Sequence, residues 1–118
     1  MCGSDVHLYH GDWSSVSYPV VPGHEFAGEV VAAGTDTDTA LVGRRFAVDP
    51  TVACGACDHC LNARRNLCRR LRGYGVTLPG GSATHAAVKV DNLVTIPDEL
   101  SYVAAAVAQP LACAIHAL

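Results

Sequence analysis

A chain of 118 residues, half of them hydrophobic, is long enough for one folded domain with a real core. Charged residues make up only 16% and aromatics 6%, a composition that excludes disorder, a collagen-like repeat and a coiled coil. The formal net charge of −3 creates no global field to recruit nucleic acid or an anionic membrane.

The opening residues, Met1-Cys2-Gly3-Ser4-Asp5 and those that follow, contain no apolar signal-peptide core. Residues 2–20 are mixed and polar and predict a loop with one helical turn, and Val20-Val21-Pro22-Gly23 is a short extended entry into His24-Glu25. Residues 26–33 are strand-like and end at Gly34, and the polar run 35–39 is a turn. A second strand is predicted over 44–48, stopped by Asp49-Pro50. Segment 54–72 is a compact loop rich in Cys and Arg. Strand-like alternation returns over 83–90, and 93–96 is a further strand before Pro97. Ser101 is placed to cap a helix over 102–108, and a second helix follows Pro110, a residue tolerated in a first helical turn. The most apolar run, 103–118, is interrupted by Gln109, Pro110 and His116 and does not span a membrane. Short glycine-punctuated strands followed by helices point to a small β-barrel with helical additions, and the expected location is the cytoplasm.

Six cysteines without an export signal are better read as metal ligands or reactive groups than as a disulfide framework. Cys54-x2-Cys57-x2-Cys60-x7-Cys68 is the strongest local signal. Thiolates at such spacing reach one tetrahedral ion, Gly55 permits the sharp turn, and four sulfur ligands leave no open position, so the site is structural. An iron–sulfur cluster fits less well, because its shorter motif closes on a proline where Arg69 stands here. Arg64, Arg65, Arg69, Arg70 and Arg72 crowd the same loop. Without interleaved stacking aromatics they read as a solvated or subunit-facing surface, and no nucleic-acid partner is expected. Gly23-His24-Glu25 precedes a strand and Cys2 lies near the start; by themselves they read more readily as structural residues than as a metal site.

Taken in order, Cys-Gly-Ser-Asp-Val-His from Cys2, Val-Pro-Gly-His-Glu-Phe-Ala-Gly-Glu-Val-Val around His24, the cysteine loop, Gly-Gly-Ser-Ala-Thr-His-Ala and Gln-Pro-Leu-Ala-Cys-Ala-Ile-His-Ala carry a resemblance. The chain resembles the zinc-dependent medium-chain alcohol dehydrogenases, notably their polyol, threonine and glucose dehydrogenase branches. The resemblance implies a GroES-like β-barrel over 1–118, with a four-cysteine zinc lobe at about 52–72. It makes Cys2 and His24 ligands of a catalytic zinc, with Glu25 a third or exchangeable ligand. Gln109 falls where many polyol-type members have a ligand Glu, a departure that leaves a neutral amide oxygen for the metal. Ser4 and His7 would relay the proton of an alcohol to solvent, and Asp5 would support the ligands. Cys113 matches no ligand position and is expected as a packed core thiol.

The activity implied is oxidation of an alcohol or polyol to a ketone or aldehyde through a zinc-bound alkoxide, with one catalytic and one structural Zn2+. NAD or NADP would bind on a Rossmann domain, but this chain has no Gly-x-Gly-x-x-Gly within a βαβ unit. The sequence therefore reads as a catalytic-domain fragment, a truncated product or one subunit of a split enzyme, inactive alone. Its implied partners are a small-molecule alcohol and either a Rossmann-domain chain or further copies of itself. A non-catalytic GroES-like zinc module that assembles with a full-length relative is the alternative.

Overall fold

The computed structural model describes residues Met1–Leu118. In chain order the elements are α1 (Gly3–His10), β1 (Ala27–Glu29), β2 (Arg45–Val48), β3 (Thr51–Val52), α2 (Asp58–Leu61), β4 (Arg72–Gly73), β5 (Leu93–Thr95), α3 (Tyr102–Ala106) and α4 (Ala108–His116). They fall into two compact units, Met1–His24 with Pro50–Ala87, and Glu25–Asp49 with Val88–Leu118.

In the first unit, α1 is a full helix where the sequence predicts one turn. Asp5, three residues after the helix-capping Cys2, accepts the Cys2 backbone N–H at 2.7 Å, which is one half of a capping box. Gly11 ends the helix at φ 74°, a left-handed position that glycine enters without penalty. Leu8 is the one buried side chain of α1, and the Tyr18 hydroxyl donates to its carbonyl at 2.8 Å. Strands β3 and β4 pair antiparallel, Thr51 opposite Gly73, and bring together the two ends of the cysteine-rich segment. Inside that segment lie α2 and a 3-10 turn at Arg65–Leu67.

In the second unit the strands form an antiparallel sheet in the order β1-β2-β5, with Ala27 opposite Ala47 and Phe46 opposite Thr95. Helix α3 packs on β1 and β2, and the core is Ala47, Ile96 and Ala105 with Ala27 against it. Three of these four side chains are alanines, so helix and sheet approach closely. Ser101 caps α3 as the sequence predicts, its Oγ accepting the Ala104 N–H at 3.2 Å. Asn92, only 1% exposed, donates its side-chain amide to the Asp49 carbonyl at 2.7 Å. The backbone returns the contact, Asp49 N–H donating to the Asn92 carbonyl at 2.9 Å. Arg45 donates to the carbonyls of Pro97, Asp98 and Leu100 and lies 4.4 Å from the centre of the Tyr102 ring.

Three expectations need correction. The strand expected over 26–33 shortens to Ala27–Glu29, because the chain turns away after Val30 and Val31 is left 64% exposed. Residues 83–90 form no strand; that stretch is largely exposed, and its alternation of small residues buries too little area to fix a register. Cys113 is exposed on α4, not packed in a core, and its sulfur accepts from the Gln109 amide at 3.4 Å. Leu111 and Ile115 of the same helix are exposed too. No helix is long and apolar enough to cross a membrane.

Candidate metal centres

Two groups of donor side chains converge. In the first, the sulfurs of Cys54, Cys57, Cys60 and Cys68 all lie within 4.8 Å of one another. Cys57 and Cys60 are 3.5 Å apart and Cys54 and Cys60 3.9 Å. A tetrahedral ion with Zn–S bonds of about 2.3 Å needs sulfurs about 3.8 Å apart, so the cage is already of the right size. Gly55, at φ 74°, makes the turn that lets Cys54 and Cys57 face the same point.

Backbone N–H groups favour the thiolate form at two of these sulfurs, Cys54 and Cys57. Cys68 accepts the N–H of Cys54 at 3.2 Å and of Arg70 at 3.4 Å. The Ala56 N–H, with smaller help from others, holds Cys54 down to about 5, and the Arg69 N–H lowers Cys57. Burial and its sulfur neighbours push Cys60 up to about 11. Crowded, partly desolvated sulfurs of this kind repel as anions, and a divalent cation at their centre removes the conflict. Four soft donors with no oxygen among them suit zinc in a closed site.

The second group is Cys2, His24 and Glu25, whose ligand atoms also lie within 4.8 Å of one another. Asp5 organises it. One carboxylate oxygen holds the Cys2 N–H at 2.7 Å, and the other accepts the Gly23 N–H at 3.4 Å and lies 3.9 Å from His24 Nδ1. The strip 21–23 is pinned by Gly80, Gly81 and Ser82, whose N–H groups donate to Val21, Gly23 and Pro22 at 2.8, 2.8 and 3.0 Å. This approach is so close that a Cβ on Gly75 would sit 2.5 Å from the Gly23 carbonyl carbon, and one on Gly80 would overlap the Gly23 oxygen. His24 follows directly and is 9% exposed, with Nδ1 buried and lacking a hydrogen-bond partner. Glu25 is peptide-bonded to it, so its carboxylate arrives with the imidazole. A sulfur, an imidazole nitrogen and a carboxylate oxygen match the donors of an open zinc site.

The other predicted residues are placed as follows. Ser4 is half-buried on the first turn of α1, and its helix start is capped by Cys2, not by Ser4. His7 lies one turn further along and is exposed; Nδ1 meets Asp12 at 2.9 Å and the ring stacks on Trp13. Gln109 stands on the first turn of α4, in the second unit, with its amide nitrogen turned to Cys113. Sequence reasoning missed the ion pair of Asp58 with Arg69, whose guanidinium donates twice at 2.7 and 2.9 Å. It lowers the Asp58 carboxyl to about 2. The signal was present, since each of the two residues directly follows a cysteine of the cage.

Residues 1–98 match the family described as the alcohol dehydrogenase GroES-like domain. The chain is 39% identical to the D-arabitol-phosphate dehydrogenase of Enterococcus avium over 119 residues, covering 100% of this chain and 34% of that protein. It is 39% identical to the L-threonine 3-dehydrogenase of Yersinia pestis, covering 98% and 35%. Among solved structures, a putative zinc-binding dehydrogenase from Sinorhizobium meliloti bound to NADP superposes with a TM-score of 0.91 at 41% identity, covering 98% and 34%. Galactitol-1-phosphate dehydrogenase from Escherichia coli gives 0.90 at 29%, covering 99% and 34%. The chain thus spans about a third of the length of these relatives. By the matched domain and its shared sequence, it belongs to the GroES-like domain family of zinc-dependent medium-chain alcohol dehydrogenases.

Proposed function

We propose that residues 1–118 are the zinc-binding catalytic domain of an NAD(P)-dependent alcohol or polyol dehydrogenase, with a structural zinc lobe at about 52–72. The observation that carries this reading is the convergence of Cys2, His24 and Glu25, from separate parts of the sequence, on one small volume. Relatives that act on sugar alcohols and threonine support the substrate class, a small molecule with a secondary or primary hydroxyl.

Cys2 as thiolate and His24 as neutral imidazole would hold the metal, with Glu25 as a third or exchangeable oxygen ligand. Bound zinc supplies Lewis acidity and favours the deprotonated form of an alcohol. Asp5 fixes the Cys2 backbone and the Gly23 peptide with one carboxylate, which sets the separation of the two ligands that follow from them. Ser4 and His7, three apart on α1, share a helix face, and their burial changes from half-buried to exposed along it. That gradient supports a relay in which Ser4 takes the alcohol proton while its own proton passes to His7 and on to solvent. Asp12 and Trp13 orient the His7 ring. The place of Gln109 at the metal rests on the family resemblance alone. Hydride would pass to a nicotinamide, bound by sequence that lies outside the matched third of the relatives.

Metal analysis tests the reading. Two zinc ions per folded chain are expected, with one lost on His24→Ala while the protein stays folded. The full reaction is tested by adding a Rossmann domain in trans and following alcohol-dependent NAD(P) reduction; a wild-type response that His7→Ala slows supports the relay.

A further inference from the structure

Charge is divided unevenly along the chain. Segment 52–72 carries five of the eight basic residues and one of the eleven acidic ones. The second unit, 25–49 with 88–118, carries eight acidic residues and three basic ones. Asp58, the one acid of the cysteine lobe, is taken up by Arg69 at 2.7 and 2.9 Å. Arg64 and Arg65 stand exposed without such a partner. The lobe is apolar on its outside as well. Its four cysteines converge on their own centre, while Leu61 is 73% exposed, Leu67 53% and Leu71 46%. Leu61 and Leu67 belong to α2 and the 3-10 turn, which pack on each other. Exposed leucines beside unpaired arginines, with no stacking aromatics among them, suit a protein surface that is acidic and aliphatic.

This chain itself offers such a surface. The Gly43 N–H donates to the Val30 carbonyl at 2.8 Å and the Val30 N–H to the Arg44 carbonyl at 3.0 Å, which closes a turn over 31–43. Val31 and Val42 flank its base and are exposed. Asp36 and Asp38 are exposed within it, and the turn contains no basic residue. We propose that the cysteine lobe of one copy docks on the acidic 31–43 turn of a second copy, Arg64 and Arg65 facing Asp36 and Asp38, and the leucines facing the two valines. A net charge of −3 is too small to hold copies apart. The proposal stands apart from the catalytic reading, since neither Cys2 nor His24 takes part.

Sedimentation velocity of the whole chain, purified with zinc, tests it. The wild-type chain is expected to self-associate at about 100 µM protein in about 0.05 M salt, and to associate at least about tenfold more weakly in about 0.5 M salt, where exposed charges are screened. The lobe variant, Arg64→Glu with Arg65→Glu, should be monomeric at both. The turn variant, Asp36→Lys with Asp38→Asn, should be monomeric too; asparagine there keeps the side-chain oxygen that accepts the Ala40 N–H. Mixing the two variants should restore association, because reversed lobe then meets reversed turn and wild-type lobe meets wild-type turn. Thermal melts show that each variant is folded; if the lobe variant melts early, the turn variant and the salt series carry the test. A wild-type chain that is monomeric at every salt concentration overturns the proposal. So does association that survives both variants, or folded variants that stay monomeric when mixed. A monomeric chain retained on heparin through Arg64 and Arg65 would give this face to a polyanion and overturns it as well.

Discussion

At the scale of single residues, the second candidate metal centre depends on a place where side chains are absent. Gly23, Gly75 and Gly80 stack backbone on backbone, and Gly23 and Gly75 also hold φ at 91° and 76°. An L-residue at position 75 therefore suffers twice, from the left-handed backbone, which costs about 1–2 kcal/mol, and from collision with the Gly23 carbonyl. Gly75→Ala is expected to lower the thermal midpoint by more than Gly3→Ala, because a Cβ on Gly3 meets open space. Comparing the two melts checks it; equal midpoints would contradict the packing account. Asn92 is the corresponding polar keystone of the second unit. Asn92→Ala leaves the Asp49 carbonyl without its side-chain donor, and the expected cost is about 1–3 kcal/mol, read from urea unfolding.

At the scale of elements, what was legible follows the strength of the local signal. Ser101 is a standard capping residue, so α3 is readable; Cys2 is not, so the sequence predicts only one turn where α1 forms. The cage was legible because its ligands sit within one short loop, whereas its arginine contacts involve side-chain reach that spacing does not encode. Convergence of Cys2 with His24 could be stated only through resemblance, since 22 positions of chain separate them. The absent strand at 83–90 and the exposed Cys113 share a cause: alternation and apolarity describe a residue's preference, not whether a neighbour exists to meet it. The cysteine loop also yields a pH prediction. Its ligands bind metal only as thiolates, so binding competes with protons and weakens as pH falls. Cobalt affinity measured from pH 8 down to about 5.5 should fall monotonically; an affinity that stays constant would count against thiolate ligation.

At the scale of the molecule, each unit has its own sheet, and Cys2, His24 and the four cysteines of the loop all belong to the unit formed by Met1–His24 and Pro50–Ala87. Short strands and a small buried core leave a limited reserve of hydrophobic stability, so metal should contribute measurably to folding. Chelation is accordingly expected to lower the thermal midpoint, and restoring zinc to return it. Central to the account is the claim that Cys2 and His24 hold one ion while the four cysteines of the loop hold another. Zinc counted per folded chain, in wild type and His24→Ala under identical purification, tests it most directly. Two ions falling to one is the predicted result. One ion in both proteins would contradict it.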